Sequence, residues 1–230
     1  MTRASGELIT FQAANGEDVE GWYCAPDGGG DGLPGLVVIQ EWWGLNEQIK
    51  KTGERFAAEG FRVIVPDLYR GKLTTDADEA NHLMGSLDWG QAVQDVAGAQ
   101  AWLKASGSAK TGVTGFCMGG AITILAAVHV DATDAGACFY GIPPAEAADP
   151  STIGVPFIAH FASEDDWCKP AAVDELEAKL QAGGVDATIY RYEGRQHGFF
   201  NEARPEVHDA QAAALSFERT IAFFKAQLAA

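Results

Sequence analysis

The pattern of apolar and polar positions changes along the chain, from alternation near the start to short continuous apolar runs. Residues Glu7 to Ala13 and Val19 to Ala25 flank Asn15-Gly16, a dipeptide typical of a tight hairpin turn. From Gly35 to Ile39 the apolar run is unbroken, as expected for a strand that is covered on both faces. The pattern therefore predicts an antiparallel pair followed by buried parallel strands.

After this pair, strands and helices alternate to the end of the chain. The pattern predicts strands at 35–39, 61–65, 111–114, 135–140, 155–161 and 187–192. It predicts helices at about 46–59, 76–87, 89–105, 118–130, 171–182 and 206–228. Such alternation indicates βαβ units in an α/β fold, with a mostly parallel, doubly wound sheet and helices on both faces. The glycine-rich run at 26–32 is interpreted as a surface turn, so residues 1–230 are predicted to form one domain.

Composition and charge exclude several classes of protein. An apolar fraction of 47% over 230 residues supports a sizeable core and excludes intrinsic disorder. The 32 acidic residues outnumber 16 basic ones, giving a net charge of −16, so neither nucleic acid nor an anionic membrane is an expected partner. No apolar stretch is long enough to span a bilayer, and no secretory signal is visible at the start. The oligomeric state, monomer or dimer, stays open.

Four widely spaced cysteines, without a secretory signal, indicate reduced thiols and a cytoplasmic protein. No CxxC or HxxxH pair occurs, so no metal site is predicted. Cysteine chemistry is instead indicated at Gly115-Phe116-Cys117-Met118-Gly119-Gly120, between a short strand and an alanine-rich helix. This G-x-C-x-G pattern is the cysteine counterpart of the G-x-S-x-G nucleophile elbow, in which flanking glycines let strand and helix pack closely. The alternative is a glycine-rich crossover with a buried cysteine.

Partners for Cys117 occur downstream in the order nucleophile, acid, histidine that α/β-hydrolases use. Asp165 follows a buried strand and His197 follows the last strand, so both are expected at the edge of the sheet where the elbow lies. Asp166 and Glu164 remain alternatives for the acid. His160 is interpreted as a hydrogen-bonded core residue, and three other histidines are assigned to helices: His82, His129 and His208.

A further candidate segment, Gln40-Glu41-Trp42-Trp43-Gly44, follows the first parallel strand. Glu41 is expected to be exposed at the same sheet edge as the elbow. The backbone N–H groups of Trp42 and Met118 are the expected oxyanion donors, because this loop and the residue after the nucleophile supply them in α/β-hydrolases. The alternatives are an exposed loop acid and two tryptophans that cover the core. Met84 is interpreted as part of an ordinary amphipathic helix.

Together these residues resemble the dienelactone hydrolase family of α/β-hydrolases. The resemblance covers roughly residues 21–224 and includes Gln40-Glu41 with Gly44, Val65-Pro66-Asp67-Leu68-Tyr69, the elbow, the segment from His160 to Asp165, and His197-Gly198-Phe199. It implies an α/β-hydrolase fold, a Cys117–His197–Asp165 triad and no cofactor. It also implies enol-lactones or related esters as substrates, and a role for Glu41 in holding and activating the thiol.

The chain departs from the founding type of the family where that type binds a substrate carboxylate with arginines. Asn201 stands four residues after the histidine, where the founding type has an arginine, and residues 73–102 contain neither Arg nor Lys. The candidate substrate contacts in this chain are therefore Trp43, Tyr69, Asn201 and Arg204, with Arg70 nearby. This argues against a substrate that carries a carboxylate.

The resulting hypothesis is hydrolysis of an ester or lactone, in which Cys117 attacks the carbonyl and His197, oriented by Asp165, acts as the base. Two alternatives use the same cysteine. A thioesterase or acyltransferase would transfer the acyl group from the same triad. A redox-sensing or ligand-binding protein would use a reactive thiol without turnover.

Overall fold

The computed structural model describes residues 4–27 and 30–229, and the eight strands of this part form one sheet. The strands are β1 (Ala4–Gln12), β2 (Asp18–Pro26), β3 (Gly35–Ile39), β4 (Arg62–Pro66), β5 (Thr111–Phe116), β6 (Ala135–Phe139), β7 (Phe157–Ala162) and β8 (Ala187–Tyr192). Their order in the sheet is β1-β2-β4-β3-β5-β6-β7-β8. Strand β2 pairs antiparallel with β1 and β4, and all other neighbours are parallel, which confirms the predicted sheet.

Six α-helices accompany the sheet. They are α1 (Glu47–Ala58), α2 (Ala77–Gly85), α3 (Trp89–Ala105), α4 (Met118–His129), α5 (Pro170–Ala182) and α6 (Ala210–Gln227), with a 3-10 turn at Pro150–Thr152. The prediction that α6 begins at Glu206 is wrong. Asp209 caps this helix by accepting a hydrogen bond from the Ala212 N–H, so His208 lies before it and not inside it. None of the described helices is long and apolar enough to cross a membrane.

The continuous apolar strands are buried on both faces. In β3, Leu36 and Val38 belong to a core cluster that contains Phe56 of α1, whereas the alternate residue Val37 packs into a second cluster with Val96 of α3. Successive side chains of a strand point to opposite faces, so both faces of β3 need apolar residues. This explains why the sequence shows an unbroken run here instead of alternation.

The parallel strands bring their carboxyl ends to one edge of the sheet, and the loops at that edge carry the candidate residues. The loop after β3 contains Glu41, β5 leads into Cys117, and β6 leads into Tyr140. Asp165 follows β7, and His197 follows β8. Residues separated by up to 156 positions in the chain thereby approach one another, because α/β sheets gather their loops at this edge.

Candidate active site

Cys117 occupies a strained position between β5 and α4. Its backbone φ is 56°, in the region that favours glycine, and its N–H donates to the Phe139 carbonyl at 3.0 Å. A Cβ atom on Gly119 would lie 2.5 Å from the carbonyl oxygens of Ile39 and Gln40, and one on Gly115 would collide with the Gly119 carbonyl. The glycines at both sides of Cys117 therefore allow the close strand–helix packing that the sequence predicts.

The Asp165 carboxylate holds His197. Its Oδ2 lies 2.9 Å from Nδ1 of His197, while Oδ1 accepts hydrogen bonds from the backbone N–H groups of Trp167 and Cys168 at 2.7 and 2.8 Å. Asp165 is buried, whereas the alternative acids Asp166 and Glu164 are exposed. Among these three acids, Asp165 is the residue that contacts His197.

His197 and Cys117 line the same small cavity. Nε2 of His197 is buried and has no hydrogen-bond partner among the described residues. Burial disfavours the charged imidazolium, but the neighbouring Cys117 sulfur and the Asp165 carboxylate outweigh burial and raise the pKa of His197 to about 10. The site therefore favours a protonated histidine beside the cysteine.

Glu41 is buried, with a relative exposure of 6%, so the prediction of an exposed loop acid at this position is wrong. The Tyr140 hydroxyl donates to Oε1 of Glu41 at 3.1 Å, and the Asn201 amide donates to Oε2 at 2.5 Å. Burial raises the pKa of Glu41, although the charge of His197 and both hydrogen bonds oppose this effect. The carboxylate still lines the cavity beside Cys117.

Tyr140 is a site residue that the sequence analysis did not identify. It is fully buried, its φ is 39°, and its ring centroid lies 5.0 Å from that of His197. Burial, followed by the charge of Glu41, raises the pKa of Tyr140 well above its ordinary value, so the hydroxyl remains a donor. The available signal was its place directly after an inner strand, but an aromatic residue that ends an apolar run looks like core.

The cavity is small, about 30 Å³, and aromatic side chains surround it. Its lining consists of Glu41, Trp42, Trp43, Met84, Cys117, Trp167, His197, Gly198 and Arg204. Trp167 was not predicted as a site residue, and the interpretation of Met84 as an ordinary helix residue missed its place here. The expected contacts Trp43 and Arg204 do reach the cavity.

The remaining predicted residues lie around the cavity. Within the described part of the chain, the backbone N–H groups of Trp42 and Met118 donate to no protein acceptor, as oxyanion donors require. Tyr69 is buried, and its hydroxyl lies 3.2 Å from the Met118 sulfur, so the structure does not bring it into the cavity. Asn201 is likewise buried behind Glu41, and its Oδ1 accepts from the Ala203 N–H.

His160 lies in the core as predicted. Its two ring nitrogens lie 2.9 Å from the Tyr192 hydroxyl and 3.0 Å from the Thr220 hydroxyl. Burial, followed by the charge of Arg219, lowers the pKa of His160 to about 3. It is therefore a neutral structural residue.

One group of possible metal ligands occurs among the described residues. Asp165, Cys168 and His197 offer ligand atoms within 4.8 Å of one another, a set that sequence spacing did not indicate. Burial, followed by the charge of Asp165, raises the pKa of Cys168 far above its ordinary value. A metal needs the thiolate, which is disfavoured here, and Asp165 and His197 already bind each other.

Known proteins resemble this chain in sequence and in fold. The model of the "Dienelactone hydrolase family" matches residues 19–228. "Protein usf" of Aquifex pyrophilus is 36% identical, with 97% of this chain and 99% of that protein covered. A protein of Aquifex aeolicus named "Putative carboxymethylenebutenolidase" is 30% identical, with 97% and 99% covered.

A solved structure from Klebsiella pneumoniae, titled as a "Putative Dienelactone Hydrolase", superposes with a TM-score of 0.83 at 25% identity and covers 95% of this chain and 98% of that chain. The sheet order, the elbow and the family match over residues 19–228 lead to one assignment. The chain belongs to the dienelactone hydrolase family of α/β-hydrolases.

Proposed function

We propose that this protein hydrolyses a carboxylic ester or lactone through a thioester on Cys117, with His197 as the base and Asp165 as the residue that orients it. The observation that carries the proposal is the 2.9 Å contact between Asp165 Oδ2 and His197 Nδ1, beside a cysteine at a positive-φ elbow in the same cavity. Sensing a redox change would not need a histidine oriented in this way.

In the first step, the Cys117 sulfur attacks the substrate carbonyl carbon. The thiol proton moves to Nε2 of His197 and then to the departing alkoxide, so an alcohol leaves and a thioester remains. The unoccupied N–H groups of Trp42 and Met118 bind the negative carbonyl oxygen of the tetrahedral intermediate. In a lactone, the departing oxygen stays on the acyl chain.

In the second step, water replaces the alcohol. His197 takes a proton from water, the resulting hydroxide attacks the thioester carbon, and the sulfur leaves with that proton. The products are a carboxylic acid and the free enzyme. The high pKa of His197, about 10, keeps the proton on the ring between transfers.

Glu41 is proposed as a positioning carboxylate for the thiol. It lines the cavity with Cys117 and is held from behind by Tyr140 and Asn201. Glu41→Gln keeps the shape and removes the charge, so kcat/KM should fall and its pH profile should shift. An unchanged kcat/KM and an unchanged profile would contradict this role.

The decisive experiment measures hydrolysis of p-nitrophenyl acetate and of enol-lactones by the wild type, Cys117→Ala and His197→Ala. Loss of turnover in both variants is expected, since a positioned base alone contributes about 10²–10⁴-fold. Mass spectrometry of the intact wild-type protein during turnover should detect the acyl adduct on Cys117. Turnover that survives in Cys117→Ala would overturn the mechanism.

A further inference from the structure

The wall of the cavity beside Cys117 is built from indole rings. The centroid of Trp42 lies 5.1 Å from that of Trp43 and 5.3 Å from that of Trp167, both in edge-to-face geometry. The Trp167 ring also lies 6.1 Å from the His197 ring. The Trp42, Trp43 and Trp167 rings, which we call the tryptophan wall, therefore border the reacting groups directly.

The space between the tryptophan wall and Cys117 is narrow, about 30 Å³. A flat ring enters such a slot edge-on, whereas a saturated ring needs more depth in every direction. Trp167 is 58% exposed and lies at the rim, so its side chain can shift outward without disturbing the core. Stacked or edge-to-face aromatic contacts add about 0.5–1.5 kcal/mol beyond the burial of area.

The charges around the slot disfavour an anion. Arg204 is the permanently cationic side chain among the described lining residues, but its Nε donates to the Glu206 carboxylate at 2.8 Å. Its guanidinium also lies over the Trp43 ring, 5.7 Å from the centroid. The paired Arg204 therefore offers little net charge to a substrate.

The amide of Asn201 is equally committed. Its Nδ2 donates to Glu41 and its Oδ1 accepts from the Ala203 N–H, so it has no strong donor left for a ligand. Glu41 itself presents a carboxyl group to the cavity. A substrate carboxylate would meet this acid, the charge of the Asp165–His197 pair and an overall net charge of −16.

Building on the proposed function, we propose that the tryptophan wall selects uncharged esters or lactones that carry a planar, unsaturated or aromatic group next to the scissile carbonyl. The wall supplies ring contacts on one side of the slot, and the masked Arg204 provides no counter-ion for a carboxylate. The inference assigns Trp167 as a specificity-determining residue of the site.

Binding to the wild-type protein tests this without turnover. Benzamide, benzoate and cyclohexanecarboxamide serve as probes in isothermal titration calorimetry, because they differ in charge or in planarity alone. Benzamide should bind about tenfold more tightly than benzoate and about fivefold more tightly than cyclohexanecarboxamide. Benzoate binding as tightly as benzamide would overturn the inference.

Three variants locate the effect. Trp167→Ala should reduce the preference for benzamide over cyclohexanecarboxamide to less than about twofold, whereas Trp167→Phe should retain it. Trp102→Phe is the matched control, because Trp102 packs on Tyr23 in a different part of the fold. An unchanged preference in Trp167→Ala would refute the role of Trp167.

Glu206→Gln tests whether pairing masks Arg204. Glu206 is exposed, and its removal should raise the affinity for benzoate about two- to threefold while leaving benzamide unchanged. Equal benzoate affinity in both proteins would contradict the masking. Because these titrations need no chemistry, failure of the binding preference and failure of the Cys117-dependent hydrolysis are separate results.

Discussion

Asn201 donates its side-chain amide to the buried carboxylate of Glu41, and this 2.5 Å contact joins the loop after β8 to the loop after β3. Tyr140, which follows β6, holds the other oxygen of the same carboxylate. Neutral donors therefore stabilise Glu41 from two directions. The founding type of the family carries an arginine where this chain has Asn201, so the acid here is held without a full counter-charge.

A first prediction concerns Asn201→Asp. The new carboxyl group would face Glu41 at hydrogen-bond distance, and two adjacent carboxyls cannot both ionise without a large cost. The folded-state pKa of the pair would be raised, so the protein should lose stability progressively as pH rises from about 4 to 8. Urea unfolding at pH 5 and pH 8 measures this. Asn46→Asp, at the N-cap of α1, is the control and should remain stable at pH 8.

A second prediction separates two neighbouring acids. In Asp165→Asn, the amide would donate to Nδ1 of His197 and place the ring proton on Nε2, where the base must accept one. We expect kcat/KM to fall by a factor on the order of 10³–10⁴, as when a triad acid is lost. Asp166→Asn changes the same charge at an exposed position and should keep near-wild-type activity. Equal losses in both variants would refute the assignment of Asp165.

The elements of the fold could be predicted because their signals are local. The unbroken run at Gly35–Ile39, the caps at Asn46 and Asp88, and the turn at Gly16 each depend on neighbouring residues alone. The start of α6 was placed too early, because its apolar pattern extends past the Asp209 cap. The elbow at Cys117 was identifiable for the same reason, since its glycines lie within three residues.

Contacts between distant loops could not be predicted in this way. The burial of Glu41 depends on Tyr140 and Asn201, which lie 99 and 160 positions away in the chain. A glutamate followed by two tryptophans has no local feature that reveals such partners. Trp167 was missed because its contact with Trp42 joins loops that only the sheet order brings together.

A third prediction uses the buried His160. Its folded-state pKa, about 3, lies below the unfolded value of about 6.5, so the unfolded chain takes up a proton that the folded protein refuses. Stability should therefore fall by about 1.4 kcal/mol per pH unit from this group as pH drops below 6.5. His160→Gln should be less stable at pH 7, where it loses ring contacts, yet show a shallower decline toward pH 4.5.

The control for His160 is His82→Gln, since His82 is exposed on α2. Its slope of unfolding free energy against pH should match that of the wild type. Equal slopes in wild type and His160→Gln would show that His160 does not resist protonation.

A fourth prediction compares two glycines in helices. In Gly119→Ala, the new Cβ would lie 2.5 Å from the carbonyl oxygens of Ile39 and Gln40, so β3 and the elbow must separate. We expect a loss of about 1–3 kcal/mol or more in unfolding free energy, together with a lower kcat because Cys117 moves. Gly85→Ala, where a Cβ meets nothing within 4 Å, should instead stabilise the protein by about 0.4–1 kcal/mol. Chemical denaturation of both variants measures the difference, and a Gly119→Ala protein as stable as Gly85→Ala would show that the close approach at the elbow is not required.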